Sequence, residues 1–431
     1  MEFLDKYFRL SEHGTTVRIE LIAGTTTFLA MAYITVVNPA ILADAGMDFG
    51  AVFVATCLAA AFGSIAMGLL GNYPIAMAPG MGQNAFFTYT IVLGMGHSWQ
   101  TALGAVFISG LLFVLLSVLP IREWLINAIP KNLKLGIASG IGFFLGFIAL
   151  KNAGIVIDNT ATLVSFGDLT EFSSIVSLLA FAAIAAMSAR KVTGAVILGM
   201  LGAALLGWIF GVTEFRGIVS VPPSVAPVFL QLDIAAALDI SMITVILTLL
   251  LVDVFDTAGT IVGVANRANL IAPDGKMPKL GMALLSDSGA TVVGSLAGTS
   301  STTSFIESAA GVEAGGRTGL TAVTTGLLFL VCLFFAPLAQ SVPAYASAAA
   351  LLFVACIMLS SLADIEWNDY TESAPAVVCA IAMPLSFSIA DGIGLGFVTY
   401  AAIKVFSGRP AECPVAVYVL ALIFAGKFAF L

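Results

Sequence analysis

Apolar runs long enough to cross a bilayer recur along almost the whole chain, and they decide its fold class. A helix needs about 20 apolar residues to span the hydrocarbon. Runs of that kind extend over 19–42, 51–70, 101–119, 135–150, 174–187 and 192–210. A second set covers 240–264, 280–296, 320–338 and 345–361, and three shorter runs follow at 374–389, 392–406 and 414–430. Composition agrees: 60% of the 431 residues are hydrophobic and 10% are charged, where soluble proteins have about 25% charged. So few charges cannot cover a water-exposed surface. The chain reads as an all-α polytopic membrane protein.

The remaining composition excludes more than it assigns. The net charge of −8 resides in loops and does not point to a partner. Lys and Arg are scattered, so there is no nucleic-acid signal. Cys57, Cys332, Cys356, Cys379 and Cys413 have no metal-ligand spacing, and four of them read as small buried apolar residues. No metal site is expected. His13 and His97 lie in polar stretches. Residues 1–14 are polar and amphipathic, without the apolar core of a signal peptide, so insertion falls to the first spanning run.

Two stretches break the pattern. Residues 71–87, GNYPIAMAPGMGQNAFF, and 294–311, GSLAGTSSTTSFIESAAG, are dense in Gly, Pro, Ser and Thr. A half-length apolar piece follows each. Irregular backbone survives at membrane depth only inside protein or beside a cavity. Asn84 and Ser304 are separated by about half the chain, and interrupted spans at matching places in two halves point to a transporter binding site. The pattern predicts two inverted repeats of seven segments. The competing reading is a pair of re-entrant loops unrelated by symmetry.

Lys6, Arg9 and Arg18 place the N-terminus in the cytoplasm by the positive-inside rule. Counting spans puts Arg122, Lys131, Lys134, Arg190, Lys191, Arg267, Lys276, Lys279 and Arg317 on the same side. Lys151 and Arg216 fall outside, beside Asp158, Asp168, Glu171 and Glu214.

Charges within the hydrocarbon are expensive and default to functional hypotheses. Asp253 and Asp256 lie inside a span and share a helix face at i, i+3. Thr257 and Thr260 prolong that polar stripe, and Glu307 follows the second broken stretch. No basic residue shares their spans, so these acids line water, bind a ligand or carry protons. A carboxylate kept from water has a raised pKa, which suits proton uptake on one side and release on the other. The blander alternative is a structural polar network between helices. The Asn84 amide donates and accepts at once. The half-helices after Asn84 and Ser304 offer free N–H groups at a positive dipole end. Phe86, Phe87 and Phe305 are within reach to stack on a planar ligand, although in a chain with 31 Phe packing is the ordinary role of any one.

PGMGQNAFF at 79–87, VDVFDTAGT at 252–260 and GTSSTTSFIESAAGVEAGGRTGL at 298–320 resemble the signatures of the AzgA-like purine permeases, a branch of the nucleobase–cation symporter superfamily. The stretches VRIELIAGTTTFLAMAYITVVNPAIL at 17–42 and SIADGIGLGFVTYAAIKVFSGR at 388–409 share the likeness. The resemblance implies fourteen segments in a seven-plus-seven inverted repeat, with short strands and half-helices in segments 3 and 10. It implies a core domain of 1–133 and 237–341 and a gate domain of 134–236 and 342–431. It implies uptake of adenine, guanine or hypoxanthine with a proton as coupling ion and no cofactor.

Carried over by position, Asn84 matches the substrate-contacting amide, Asp253 and Asp256 the paired acids of segment 8, and Glu307 the acid of segment 10 that pairs with ring nitrogens. Ser301 departs from the GTSPVT form associated with the family. The expected binding set is therefore Asn84, Asp253, Asp256, Ser304, Glu307, Phe86, Phe305 and Thr260, with proton coupling at Asp253, Asp256 and Glu307. The expected setting is the cell membrane, with a purine base and lipid as partners; the architecture also allows a homodimer. Rivals are a transporter of uracil, xanthine or an inorganic anion (the last disfavoured by three acids with no opposing Lys or Arg), an intramembrane enzyme and a channel. An enzyme is disfavoured because two Asp residues on one helix do not form a facing dyad.

Overall fold

The computed structural model describes residues 2–119, 129–270 and 277–430. Arg122 and Lys276 lie outside them. The first part of the chain runs through α1 (Glu2–Phe8), α2 (Val17–Met31), α3 (Ile34–Asp44) and α4 (Phe49–Ala66) to strand β1 (Met77–Pro79). Then come α5 (Met81–Ala85), continued by a π-helix over Phe86–Gly94, α6 (Trp99–Val118) and α7 (Lys131–Asn152). A hairpin of β2 (Val156–Asn159) and β3 (Leu163–Phe166) leads to α8 (Phe172–Ala189), α9 (Ala195–Ile209) and α10 (Ile234–Ala237). The second part holds α11 (Ile243–Arg267), α12 (Leu280–Ala297), β4 (Thr302–Ser304), α13 (Ser308–Glu313), α14 (Gly319–Cys332) and α15 (Ala336–Gln340). The chain closes with α16 (Ala344–Leu359), α17 (Tyr370–Ser386), α18 (Ile389–Phe406) and α19 (Val415–Phe430).

Ten helical spans among the described residues are long and apolar enough to cross a membrane; α9 and α19 are apolar but shorter. Their outer faces carry apolar side chains that water would not tolerate in such number: Leu115, Leu205, Phe406 and Leu422 are all exposed. In a bilayer those faces meet lipid. The protein is multi-pass.

With lipid outside, helices gain little by hiding apolar surface from one another, and close backbone approach takes over. A Cβ on Gly319 would lie 2.0 Å from the Gly68 carbonyl oxygen, so α14 and the turn after α4 touch only because both residues are glycine. A Cβ on Gly140 in α7 would lie 2.5 Å from Met383 Sδ in α17. Helix α7 packs against α16 and α17, α6 against α12, and α14 against α2 and α4.

Both broken stretches become strand-then-helix units, and they meet. Strand β1 pairs antiparallel with β4, with Met77 opposite Ser304, Ala78 opposite Thr303 and Pro79 opposite Thr302. Gly80 N donates to Ser301 O at 2.9 Å, and Phe305 N donates to Ala76 O at 3.0 Å, extending the pair by a bond at each end. Three hydroxyls satisfy the outer edges. Met77 N donates to Ser64 Oγ, Ala76 N to Ser308 Oγ and Thr302 N to Thr291 Oγ1. The two halves of the sequence thus share one two-stranded sheet inside the protein, as irregular backbone at membrane depth requires.

Three details depart from the sequence expectations. The first span is two helices, because the chain turns at Ala32 and Tyr33 before α3. The second half-helix begins at Ser308, not directly after Ser304; Phe305, Ile306 and Glu307 form the turn between. Cys356, expected to be buried, is exposed on α16, whereas Cys57, Cys379 and Cys413 are buried.

Candidate functional site

The strand crossing brings α11, α12 and the first turn of α5 together. Asp253, fully buried on α11, accepts from Gln83 Nε2 at 2.9 Å and from Thr291 Oγ1 at 3.0 Å. The same threonine shares its hydroxyl proton with the Thr302 carbonyl of β4 at 2.9 Å. Asp253 therefore connects α11 to both broken segments.

Asp256, one turn on, has the opposite environment. Its side chain is exposed to a cavity of about 1110 Å³ bounded by α7, α11, the start of α12 and the first turn of α5. Positions i and i+3 stand about 60° apart around a helix axis. That angle is enough to turn one acid into the packed interior and the other into the cavity. Thr260, Phe255 and Gln83 line the same space, as does Ile306 from the second broken segment.

Glu307 stands at the start of α13, half-buried, and accepts from Tyr33 Oη at 2.6 Å. Tyr33 itself is fully buried at the turn between α2 and α3. Asp256 and Glu307 are close enough for their charges to act on each other. Neither acid is in an ion pair among the described residues.

The remaining expected residues stand behind this surface. Asn84 is fully buried, with Nδ2 donating to Asn38 Oδ1 at 3.0 Å. Asn38 in turn donates to Thr56 and Thr299. The Asn84 amide ties the first broken segment to α3, and its Oδ1 finds no partner among the described residues. Ser304 Oγ donates to Asp287 Oδ1 at 3.0 Å. Phe86 is 2% exposed and packs in the main apolar core, and Phe305 is 5% exposed and packs with Met31, Ile34 and Phe329. The cavity reaches only the first turn of α5, so Phe86 lies beyond it. The aromatic ring on the cavity wall is Phe255.

Several site residues escaped the sequence reading. Asp287 is fully buried on α12 and accepts from Thr257 Oγ1 at 2.7 Å as well as from Ser304. It too is an acid inside an apolar run, so the rule that singled out Asp253 applies to it equally. Gln83 stands beside Asn84 in the same Gly-rich motif, and nothing but the fold distinguishes them. Tyr33 carries no sequence signal, because its partner is 274 positions away.

Chemically, the site offers a carboxylate open to a cavity, a second held by a tyrosine, and two more closed within hydroxyl networks. Such a surface suits a neutral planar ligand that presents N–H donors, with an aromatic ring beside it.

Known proteins agree with this architecture. The Permease family profile matches residues 18–395. The adenine permease AdeP of Escherichia coli strain K12 is 49% identical over 428 residues, 99% of this chain and 96% of that protein. The guanine/hypoxanthine permease PbuG of Bacillus subtilis strain 168 is 44% identical over 437 residues, 99% of each chain. Among solved structures, the transmembrane domain of the cyanobacterial bicarbonate transporter BicA superposes with a TM-score of 0.68 at 16% identity, covering 86% of this chain and 96% of that one. That likeness speaks for the inverted-repeat transporter fold alone. With its crossed half-segments and a family match over most of its length, the chain belongs to the Permease family, in the branch of the purine nucleobase permeases.

Proposed function

We propose that the protein takes up purine nucleobases (adenine, guanine or hypoxanthine) across the cell membrane by proton symport. The observation that carries this reading is the exposed carboxylate of Asp256 at the strand crossing, in a chain close to half identical to an adenine permease over its whole length. A purine base is neutral and planar, with N–H donors on its edges. Asp256 accepts from one edge, Thr260 and Glu307 complete the polar contacts, and Phe255 covers a face. Asn84, Asp253, Ser304 and Asp287 act as supports that fix the crossing from behind. Phe86 and Phe305 pack the half-segments against the core.

Protons enter through the same acids. A carboxylate that binds a proton can donate to a ring nitrogen, and one that has lost it can only accept. Occupancy by the base and by the proton are then linked at Asp256 and Glu307, with Asp253 behind them. Transport follows by alternating access, with 1–133 and 237–341 as the moving core and 134–236 and 342–431 as the gate. The cavity borders Lys131, Lys134 and Lys279. By the positive-inside rule this is the cytoplasmic side, so the conformation is open inward and the N-terminus is cytoplasmic.

The test is uptake of labelled adenine, guanine, hypoxanthine and uracil into cells that lack their own permeases, with and without a protonophore. Saturable purine uptake that collapses with the proton gradient, and that Asp256→Asn and Glu307→Gln abolish at normal membrane abundance, is the expected result. Uptake of none of the purines by well-inserted protein would sink the assignment. Purine uptake indifferent to the protonophore would remove the proton alone.

A further inference from the structure

The cavity at Asp256 is also lined by three lysines. Lys131 at the start of α7, Lys134 one turn on, and Lys279 just before α12 all line it. Lys131 and Lys279 are exposed. Lys134 Nζ lies 5.3 Å from the centroid of the Phe255 ring, and Phe255 immediately precedes Asp256. A cationic wall thus runs from the mouth to the neighbour of the acid that would hold the base. The positive-inside rule explains why lysines occupy this side. It does not explain why three of them border the one cavity that Asp256 lines.

A neutral base has no use for that wall, and it does not need the space. The cavity is about 1110 Å³, at the upper limit for sites that take drug-sized ligands, and a bicyclic base is far smaller. A ligand using both the acid and the lysines carries a base at one end and an anion at the other, joined by a polar spacer. The first-turn N–H groups of α7 at Lys131 add to the preference for an anion at the mouth.

We propose that this cavity also binds purine nucleoside monophosphates from the lysine-bearing side. The base lies toward Asp256 and Thr260, and the phosphate sits among Lys131, Lys134 and Lys279. A nucleotide held this way occupies the base site and blocks it, so the cell's nucleotide pool restrains uptake of free base. The proposal rests on the purine reading given above for Asp256.

The experiment measures binding of labelled IMP, AMP and GMP, and separately of labelled hypoxanthine and adenine, to the purified full-length protein in detergent. The wild type is compared with the double variant Lys131→Gln/Lys279→Gln, with ribose 5-phosphate and inorganic phosphate as competitors. The expected result is that a nucleotide displaces the base competitively and that the double variant weakens the nucleotide by about tenfold or more, the scale of losing a charged hydrogen bond. Base binding by the variant stays unchanged, which also reports that it is folded. Raised salt weakens the nucleotide and not the base. Base binding without nucleotide binding overturns the proposal, as does nucleotide binding that the double variant leaves intact. Nucleotide binding without any base binding leaves the phosphate site and removes the purine-uptake reading. Binding of neither removes both.

Discussion

The shortest contact among the acids around the strand crossing is the 2.6 Å bond from Tyr33 to Glu307. A hydrogen bond to a charged group contributes about 1.5–3 kcal/mol, and this one ties the turn between α2 and α3 to the turn before α13. Tyr33→Phe keeps the ring and removes the donor. Uptake at limiting substrate is expected to fall by roughly tenfold to a hundredfold, with normal amounts of protein in the membrane, and its pH profile is expected to move with Glu307. Unchanged uptake and an unchanged profile would show that Glu307 works without the tyrosine. The acids themselves differ in how readily sequence reveals them. Asp253, Asp256 and Glu307 are legible because charge in an apolar run is expensive. Which of the two aspartates meets the cavity is not legible, since it depends on a rotation of about 60° that only neighbouring helices fix.

At the scale of elements, the Gly- and Pro-rich stretches announce the broken segments, and their spacing announces the repeat. What sequence hides is the pairing itself, because three-residue strands have no periodicity to read. The β2–β3 hairpin stayed hidden for a related reason. Its strands are four residues each, and the turn depends on Asn159 Oδ1 accepting from Ala161 N and Thr162 N. Thr291 is the residue on which the crossing most depends. Its single hydroxyl proton is shared between Asp253 and the Thr302 carbonyl, and its oxygen accepts from Thr302 N. Thr291→Val preserves shape and removes all three bonds. We expect it to destabilise the protein by about 1–3 kcal/mol, the cost of leaving buried polar groups unpaired. Thermal unfolding in detergent measures this, and an unchanged Tm would mean that water replaces the hydroxyl.

Across the whole molecule, an ionic cluster fastens the C-terminal helices to the wall of the cavity. Lys404, 1% exposed, pairs with Glu372 at 2.9 Å and Glu412 at 3.1 Å, and Arg409 pairs with Asp369 and Glu412. Asn132 of α7 donates to Glu372, so the wall that carries Lys131 and Lys134 is tied to α17 and α18. Bonds from Thr371 and Arg409 hold the Asp369 carboxyl down at about 2, and Arg409 and Lys404 lower Glu412. Both folded-state values lie below the ordinary carboxylate range of about 4. Their contribution is therefore complete above about pH 4 and is lost as pH falls toward 2. The Tm of the wild type is expected to drop more steeply between about pH 4 and 2 than that of Asp369→Asn, and the difference should shrink in high salt. Equal slopes would remove this cluster from the acid response.

The pairing of β1 with β4 also bears on how the protein is made. The chain is synthesised from its N-terminus, so Met77–Pro79 is complete long before Thr302–Ser304 exists. Until then its edge groups face a bilayer that offers no hydrogen bonds. Met77 is already served by Ser64 of the first half, but Ala76 finds its partners at Ser308 and Phe305, and Gly80 at Ser301. The first half of the chain therefore cannot satisfy the edge of its own broken segment before the second half is present. Chains truncated before residue 302 should be cleared as misassembled, however well their first helices insert, and two halves produced together should rescue one another.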